Sequence, residues 1–134
     1  MNLDHRKITE IILKNHPNCQ AIYVFGSFAS DDENKKSDVD IAILLPHFEA
    51  KKNPSFAMSK VLNELAMELH REVDLLNLRT VSTVFQVQII DKGKLIFCAD
   101  KNEKDSFEML VFSSYQKLNE GRKEILENIL GEKL

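Results

Sequence analysis

A chain of 134 residues, 43% hydrophobic and 29% charged, has the length of one domain and is too apolar for a disordered tether. Folding at this size removes about two-thirds of the unfolded chain's surface from water, so a real core is available. The net charge of −3 gives no support for nucleic-acid binding by the molecule as a whole, although a local basic patch stays open.

No run reads as a secretory leader or a membrane span, so a cytoplasmic protein without direct nucleic-acid or membrane contact is expected. The two cysteines, Cys19 and Cys98, have no metal-ligand spacing and adjoin apolar runs. Both read as buried free thiols.

In chain order, residues 3–15 carry Leu3, Ile8, Ile11 and Ile12 at helical spacing, and His16-Pro17 ends that helix. Residues 20–25 form a first strand that runs into Gly26-Ser27. A polar stretch, residues 30–37, follows, with a helical turn expected after Ser27. Asp38-Val39-Asp40 then opens a second strand that ends at Pro46. Residues 47–54 read as a loop.

Residues 55–70 fit a helix capped by Ser55, with Phe56, Val61, Leu62, Leu65, Ala66 and Leu69 on one side. Residues 72–78 make a third strand, with Val73, Leu75 and Asn77 on one face and Asp74, Leu76 and Leu78 on the other. A helix starting at Thr80 or Ser82 runs to Asp91 and stops at Gly93, and residues 94–99 form a fourth strand. Residues 100–105 read as a charged turn. Residues 106–134 form a C-terminal helical segment, with Gly121 as a point where it bends or divides and a frayed tail after residue 130. The expected fold is α/β (α+β): one domain over residues 1–134, with a small mixed sheet and flanking helices.

The chemistry concentrates in residues 26–45. Side chains alternate across a strand, so Asp38 and Asp40 share a face, with Cα atoms about 6.5 Å apart at a rise of ~3.3 Å per residue. Two carboxylates that close repel, so either one protonates or both bind a cation. Magnesium favours such oxygen ligands together with substrate phosphates. Gly26 permits close backbone approach to a ligand, and amides at a helix start attract phosphate. A phosphate-holding turn facing a metal-holding pair suggests a nucleoside triphosphate site.

Each feature also has a plainer reading. Asp-x-Asp by itself recurs on exposed strand ends. Gly26 serves equally as a turn glycine and Ser27 as a helix cap. Asp74 is either a buried acid satisfied by a neighbour or a third ligand reaching the same rim. Ser37 reads as a loop-holding residue, and Lys35 and Lys36 as solvated. The four histidines show no ligand spacing. The Phe107–Phe112 cluster reads as core or interface, and Tyr23 and Tyr115 carry no assignment.

At Gly26, Ser27, Asp38, Asp40 and Asp74 the sequence resembles the nucleotidyltransferase superfamily of the DNA polymerase β type. That family is marked by Gly-Ser, about ten residues, Asp-x-Asp and a later acid on a neighbouring strand. The small size is similar to the minimal branch, which includes the MntA-type antitoxins paired with HEPN-domain RNase toxins.

The resemblance implies a polymerase β-like core with two Mg²⁺ held by Asp38, Asp40 and Asp74. It implies ATP phosphates held at Gly26 and Ser27, and attack on the α-phosphorus with release of pyrophosphate. It further implies transfer of AMP to a tyrosine of a cognate HEPN toxin, and a hetero-oligomer with that toxin. Many relatives place Arg-Gly after the alanine that follows Gly-Ser-x. Here Ala29 is followed by Ser30-Asp31, so an arginine contact to the triphosphate is missing or comes from Lys35, Lys36 or Arg79. The alternatives are an antitoxin that neutralises by contact alone and an adenylyltransferase for a small molecule.

Overall fold

Strands whose residues are apolar on both faces need cover on both sides. The second strand here is of that kind, with Val39, Ile41 and Ile43 on one face and Ala42 and Leu44 on the other. The computed structural model describes residues 5–25, 38–53 and 59–130, with side chains through Lys123. Strands β1 (Ala21–Phe25), β2 (Val39–Leu44), β3 (Val73–Asn77) and β4 (Lys94–Cys98) form one sheet in the order β3-β2-β1-β4. β1 is antiparallel to β2 and β4, and β2 is parallel to β3. The helices are α1 (His5–Asn15), α2 (His47–Lys52), α3 (Lys60–Leu69), α4 (Thr83–Lys92) and α5 (Lys101–Leu130). This is the mixed α/β arrangement that the alternation of elements implies.

The alternation of side chains divides the core in two. Ile22, Val24, Val39, Ile41, Ile43 and Leu75 pack under Ile8 and Ile12 of α1 and Val61 and Leu65 of α3. Ala21, Tyr23, Ala42 and Leu44 face the opposite way, against Ile89 of α4 and Phe107 and Val111 of α5. Each large aliphatic side chain buried in this way stabilises the fold by roughly 1.5–3 kcal/mol.

Local chemistry sets several element ends. Ser59 Oγ accepts from Leu62 N at 3.2 Å and starts α3. Ser55, the cap expected from sequence, lies outside the described residues. Ser82 Oγ accepts from Phe85 N at 3.2 Å and starts α4. At the other end of α4, a Cβ on Gly93 would lie 2.4 Å from the Ile89 carbonyl oxygen, so only glycine lets the chain turn there without a shift.

Four expectations are corrected. The stretch read as a loop after Pro46 contains α2, because Pro46 presets the entry to a helical turn and its carbonyl accepts from Ala50 N at 2.8 Å. The stretch read as a charged turn is the first turn of α5, because Asp100 Oδ1 accepts from Glu103 N at 3.1 Å and satisfies a first-turn amide. α5 passes through Gly121 unbroken. Cys19 is buried, as expected, and burial pushes its thiol up to about 12; the expectation of a buried Cys98 is corrected, because that residue is exposed at the end of β4.

Asn77 is the buried polar residue that ties α2 to the sheet. Its Nδ2 donates to Ala50 O at 3.0 Å and to Asn53 O at 2.9 Å, and its Oδ1 accepts from Arg79 N at 3.2 Å. Two carbonyls, one buried and one partly buried, lose their donor if that amide is removed. We expect Asn77→Ala to destabilise the protein by about 1–3 kcal/mol in urea unfolding monitored by circular dichroism.

Candidate active site

Of the site residues named from sequence, Asp38, Asp40 and Asp74 fall at one end of the sheet. Asp38 immediately precedes β2, Asp40 is its second residue, and Asp74 is the second residue of β3. The parallel register sets Asp40 opposite Asp74, on strands about 4.8 Å apart. On the other flank, Phe25, the last residue of β1, stands opposite Asp40. One row across the sheet therefore reads Phe25, Asp40, Asp74. The chain leaves β1 at Phe25 and goes directly into Gly26-Ser27, which lie outside the described residues, as do Lys35 and Lys36.

Exposure differs along this row. Asp38 and Asp74 are exposed, and Asp40 is half-buried. The reading of Asp74 as a buried acid in an apolar strand is therefore corrected, because β3 is an edge strand and its first turn of side chains meets water. The Asp40 carboxyl is held above its usual range, first by burial, then by the charge of Asp74, then by that of Asp38. Three carboxylates thus share one field, with Asp40 at its centre. Among the described residues, no group of three or more His, Cys, Asp or Glu side chains closes tightly enough by itself to grip an ion. Repelling carboxylates have no reason to converge without positive charge between them.

Phe25 is positioned from above by α4. Its ring meets that of Phe85 edge to face, with centroids 5.8 Å apart at 85°. Sequence reading left this pair unremarked, because only the fold brings position 85 over the end of β1.

Arg79 does not belong to this rim. It follows β3, whose last residue, Asn77, lies about 10 Å along the strand from Asp74 at ~3.3 Å per residue. Its Nε donates to Leu45 O, its Nη2 donates to Gln20 Oε1 at 2.9 Å, and its guanidinium lies 5.3 Å from the Phe107 ring centroid. Burial holds its pKa below the usual arginine value, offset in part by the charge of Glu103. Arg79 is thus occupied in pinning the opposite end of the sheet and cannot stand in for the missing arginine.

A family model described as polymerase beta, nucleotidyltransferase, matches residues 6–102. The chain belongs to that family. It is 31% identical over 128 residues to the protein adenylyltransferase MntA of Shewanella oneidensis, covering 96% of this chain and 88% of that protein. It is 25% identical over 130 residues to the protein of the same name from Aphanizomenon flos-aquae, covering 92% and 87%. A crystal structure of a toxin-antitoxin with AMP-PNP aligns with a TM-score of 0.74 at 30% identity, over 96% of this chain and 99% of that one. A structure of tri-AMPylated Shewanella oneidensis HEPN toxin in complex with MNT antitoxin aligns with a TM-score of 0.66 at 28% identity, over 94% and 95%. Among the described residues, no helix is long and apolar enough to cross a membrane.

The raised pKa of Asp40 has a thermodynamic sign. The folded state binds its proton more tightly than the unfolded state does. Stability from this group is therefore full below the ordinary carboxylate pKa and is lost as pH rises through the folded value. We expect Asp40→Asn to raise the thermal midpoint at pH 7 in the presence of a chelator. The gain should vanish as pH falls below about 3.8, the ordinary value for aspartate. Differential scanning fluorimetry across pH measures both.

Proposed function

We propose that this chain is a protein adenylyltransferase and the antitoxin of a toxin–antitoxin pair. It transfers AMP from ATP to a tyrosine of a cognate HEPN RNase toxin and assembles with that toxin. The observation that carries the reading is the pairing of Asp40 with Asp74 across β2 and β3, with Asp38 beside them. Three carboxylates brought to one end of the sheet support reading them as the acids of a nucleotidyltransferase site. The likeness to MntA over nearly the whole chain supports the choice of acceptor.

The donor set fits magnesium. It consists of hard, anionic oxygens, and the coupled charges on Asp40 are relieved by a divalent cation. Asp38 and Asp40 would hold one ion shared with the triphosphate, and Asp74 would join them around a second. Bound there, the cations would stabilise charge on the attacking and leaving oxygens.

The chain's own residues supply position. Ser27 and the backbone at Gly26 hold the β and γ phosphates. Phe25 ends β1 opposite Asp40, so the chain enters Gly26-Ser27 from the acidic end of the sheet. Asp74, on the open flank, meets the acceptor hydroxyl. The tyrosine hydroxyl gives its proton to Asp74 as its oxygen forms a bond to the α-phosphorus, the bond to the bridging oxygen breaks, and pyrophosphate leaves. Most of the rate comes from positioning and from fixed charge rather than from covalent participation by the protein.

A second reading, an antitoxin that acts by contact alone, draws on one observation. Ser30-Asp31 replaces the usual Arg-Gly, and Arg79 is engaged elsewhere. The two readings separate on the acids. Asp38→Asn and Asp40→Asn should each lower AMP transfer to the toxin by at least about 100-fold, read with labelled ATP and Mg²⁺. Circular dichroism spectra should stay unchanged. Equal labelling by parent and variants would remove the enzyme reading. Ser27→Ala should weaken ATP binding in calorimetric titration while leaving the unfolding midpoint in place, and an unchanged titration would take Ser27 out of the phosphate site.

A further inference from the structure

The last residue of β1 is held differently from the rest of that strand. Ala21, Ile22, Tyr23 and Val24 each pair with β2 on one side and with β4 on the other. β4 begins at Lys94, opposite Val24, and stops short of Phe25. Phe25 therefore pairs with Asp40 on one side, and among the described residues no strand pairs with it on the other. The strand end that faces the half-buried acid is thus the least supported position of β1.

α4 braces that position. Side chains at 21, 23 and 25 share the face covered by α4 and α5. There the Phe25 ring meets that of Phe85 edge to face, with 5.8 Å between centroids. This is an arrangement that the charge distribution of two aromatic rings favours. Phe85 is the third residue of α4, and its N–H donates to Ser82 Oγ at 3.2 Å, so the ring stands on a capped helical turn. Both rings are partly buried, at the margin of the core formed with α4 and α5. They sit beside the row of acids rather than deep among Tyr23, Ile89 and Phe107. Phe25 and Asp40 are cross-strand neighbours, whose Cβ atoms lie about 4.5–5.5 Å apart.

We infer that Phe85 is a positioning residue for the nucleotide: through Phe25 it holds the end of β1 in place against Asp40 before ATP arrives. The inference rests on the proposed function, in which Gly26 and Ser27 take the phosphates and Asp40 a metal ion. Those two halves of the site belong to neighbouring strands. The last β1–β2 pair, Phe25 with Asp40, fixes where the chain leaves one strand relative to the acid on the other. The Phe85 ring holds that pair from α4. A strand end fixed in advance needs no ordering when the ligand binds, whereas a loose one is ordered at a loss of affinity. Phe85 thus acts through Phe25 and is not a catalytic residue. Its effect falls on ATP and not on the acceptor, because the exit of β1 is on the nucleotide's side of the row.

The test is a double-mutant cycle on the full chain, read by calorimetric titration with AMP-PNP and Mg²⁺ and by AMP transfer to the cognate toxin. Phe85→Leu keeps an apolar side chain and loses the ring. It should weaken AMP-PNP binding and raise the KM for ATP by about three- to tenfold, the range that an aromatic pair is worth. The KM for the toxin should stay at the parental value. Phe25→Leu should do the same, and the double variant should bind no more weakly than the weaker single, because both changes remove one interaction. Phe85→Tyr keeps the ring and should bind AMP-PNP like the parent. Val87→Ala, on another side of α4 but packed on the same core, is the control for stability. It should lower the unfolding midpoint and leave AMP-PNP binding unchanged. Folded Phe85→Leu with parental affinity would overturn the inference. So would additive losses in the cycle, and so would weakening by Val87→Ala in proportion to the stability it loses. A parent chain that binds no AMP-PNP would remove the proposed phosphate site and this inference with it. A parent that binds AMP-PNP but transfers nothing to the toxin would remove the proposed acceptor alone, and the cycle of affinities still decides the role of Phe85.

Discussion

The parallel pairing of β2 with β3 is the constraint on which the rest depends. Side chains alternate with a period of two, so a slip of one residue would turn Asp74 to the face covered by α1 and α3. Leu75 would leave the core in the same movement. The register is held at both ends of the ladder, by Val39 N to Glu72 O and by Leu78 N to Ile43 O. It is reinforced by Asn77, whose amide binds two carbonyls of the α2 segment. Parallel strands also require a crossover, and α2 and α3 supply it. α3 ends at His70, whose left-handed backbone, φ 54°, turns the chain back toward the start of β3.

The two ends of the sheet are built for different purposes. At the C-terminal ends of β2 and β3, Arg79 gathers Leu45 O, Gln20 and the Phe107 ring, and Asn77 ties in α2. These contacts satisfy buried polar groups and stabilise the fold. At the N-terminal ends, three acids stand with no basic partner that the structure describes beside them, and Asp40 carries the repulsion of the other two. Such a cluster opposes folding and is kept where a ligand relieves it, a common trade between stability and activity.

The face that carries the acids is also the one covered by α4 and α5. Tyr23, two residues before Phe25 on the same strand, donates to Glu108 Oε2 at 2.6 Å and fastens α5 to β1. Burial, with the Glu108 carboxylate beside it, pushes the Tyr23 hydroxyl well above its usual pKa, so it stays a neutral donor at any physiological pH. Phe85 completes the same cover by meeting Phe25. Beyond Val111, α5 leaves the core, and Phe112 and Leu118 are exposed. The aromatic cluster on that helix is accordingly split, with Phe107 inside and Phe112 outside.

Much of this was legible in the order of residues. Periods of two and of about 3.6 located four strands and most helices, because burial on one face is written into spacing. Gly26-Ser27, Asp38-x-Asp40 and Asp74 stood out because carboxylates at a strand start have no place in a core. What spacing could not convey was anything settled by contacts between distant segments. The α2 helix was hidden because six residues carry too little periodicity to register. Arg79 looked free to meet a phosphate until the fold placed it at the far end of β3. Asp74 seemed to need a buried partner until the sheet order put its strand at an edge. Alternation determined which side chains share a face. Only tertiary structure decided which strands are neighbours, and therefore which acids share a field, because pairing joins segments far apart in the chain.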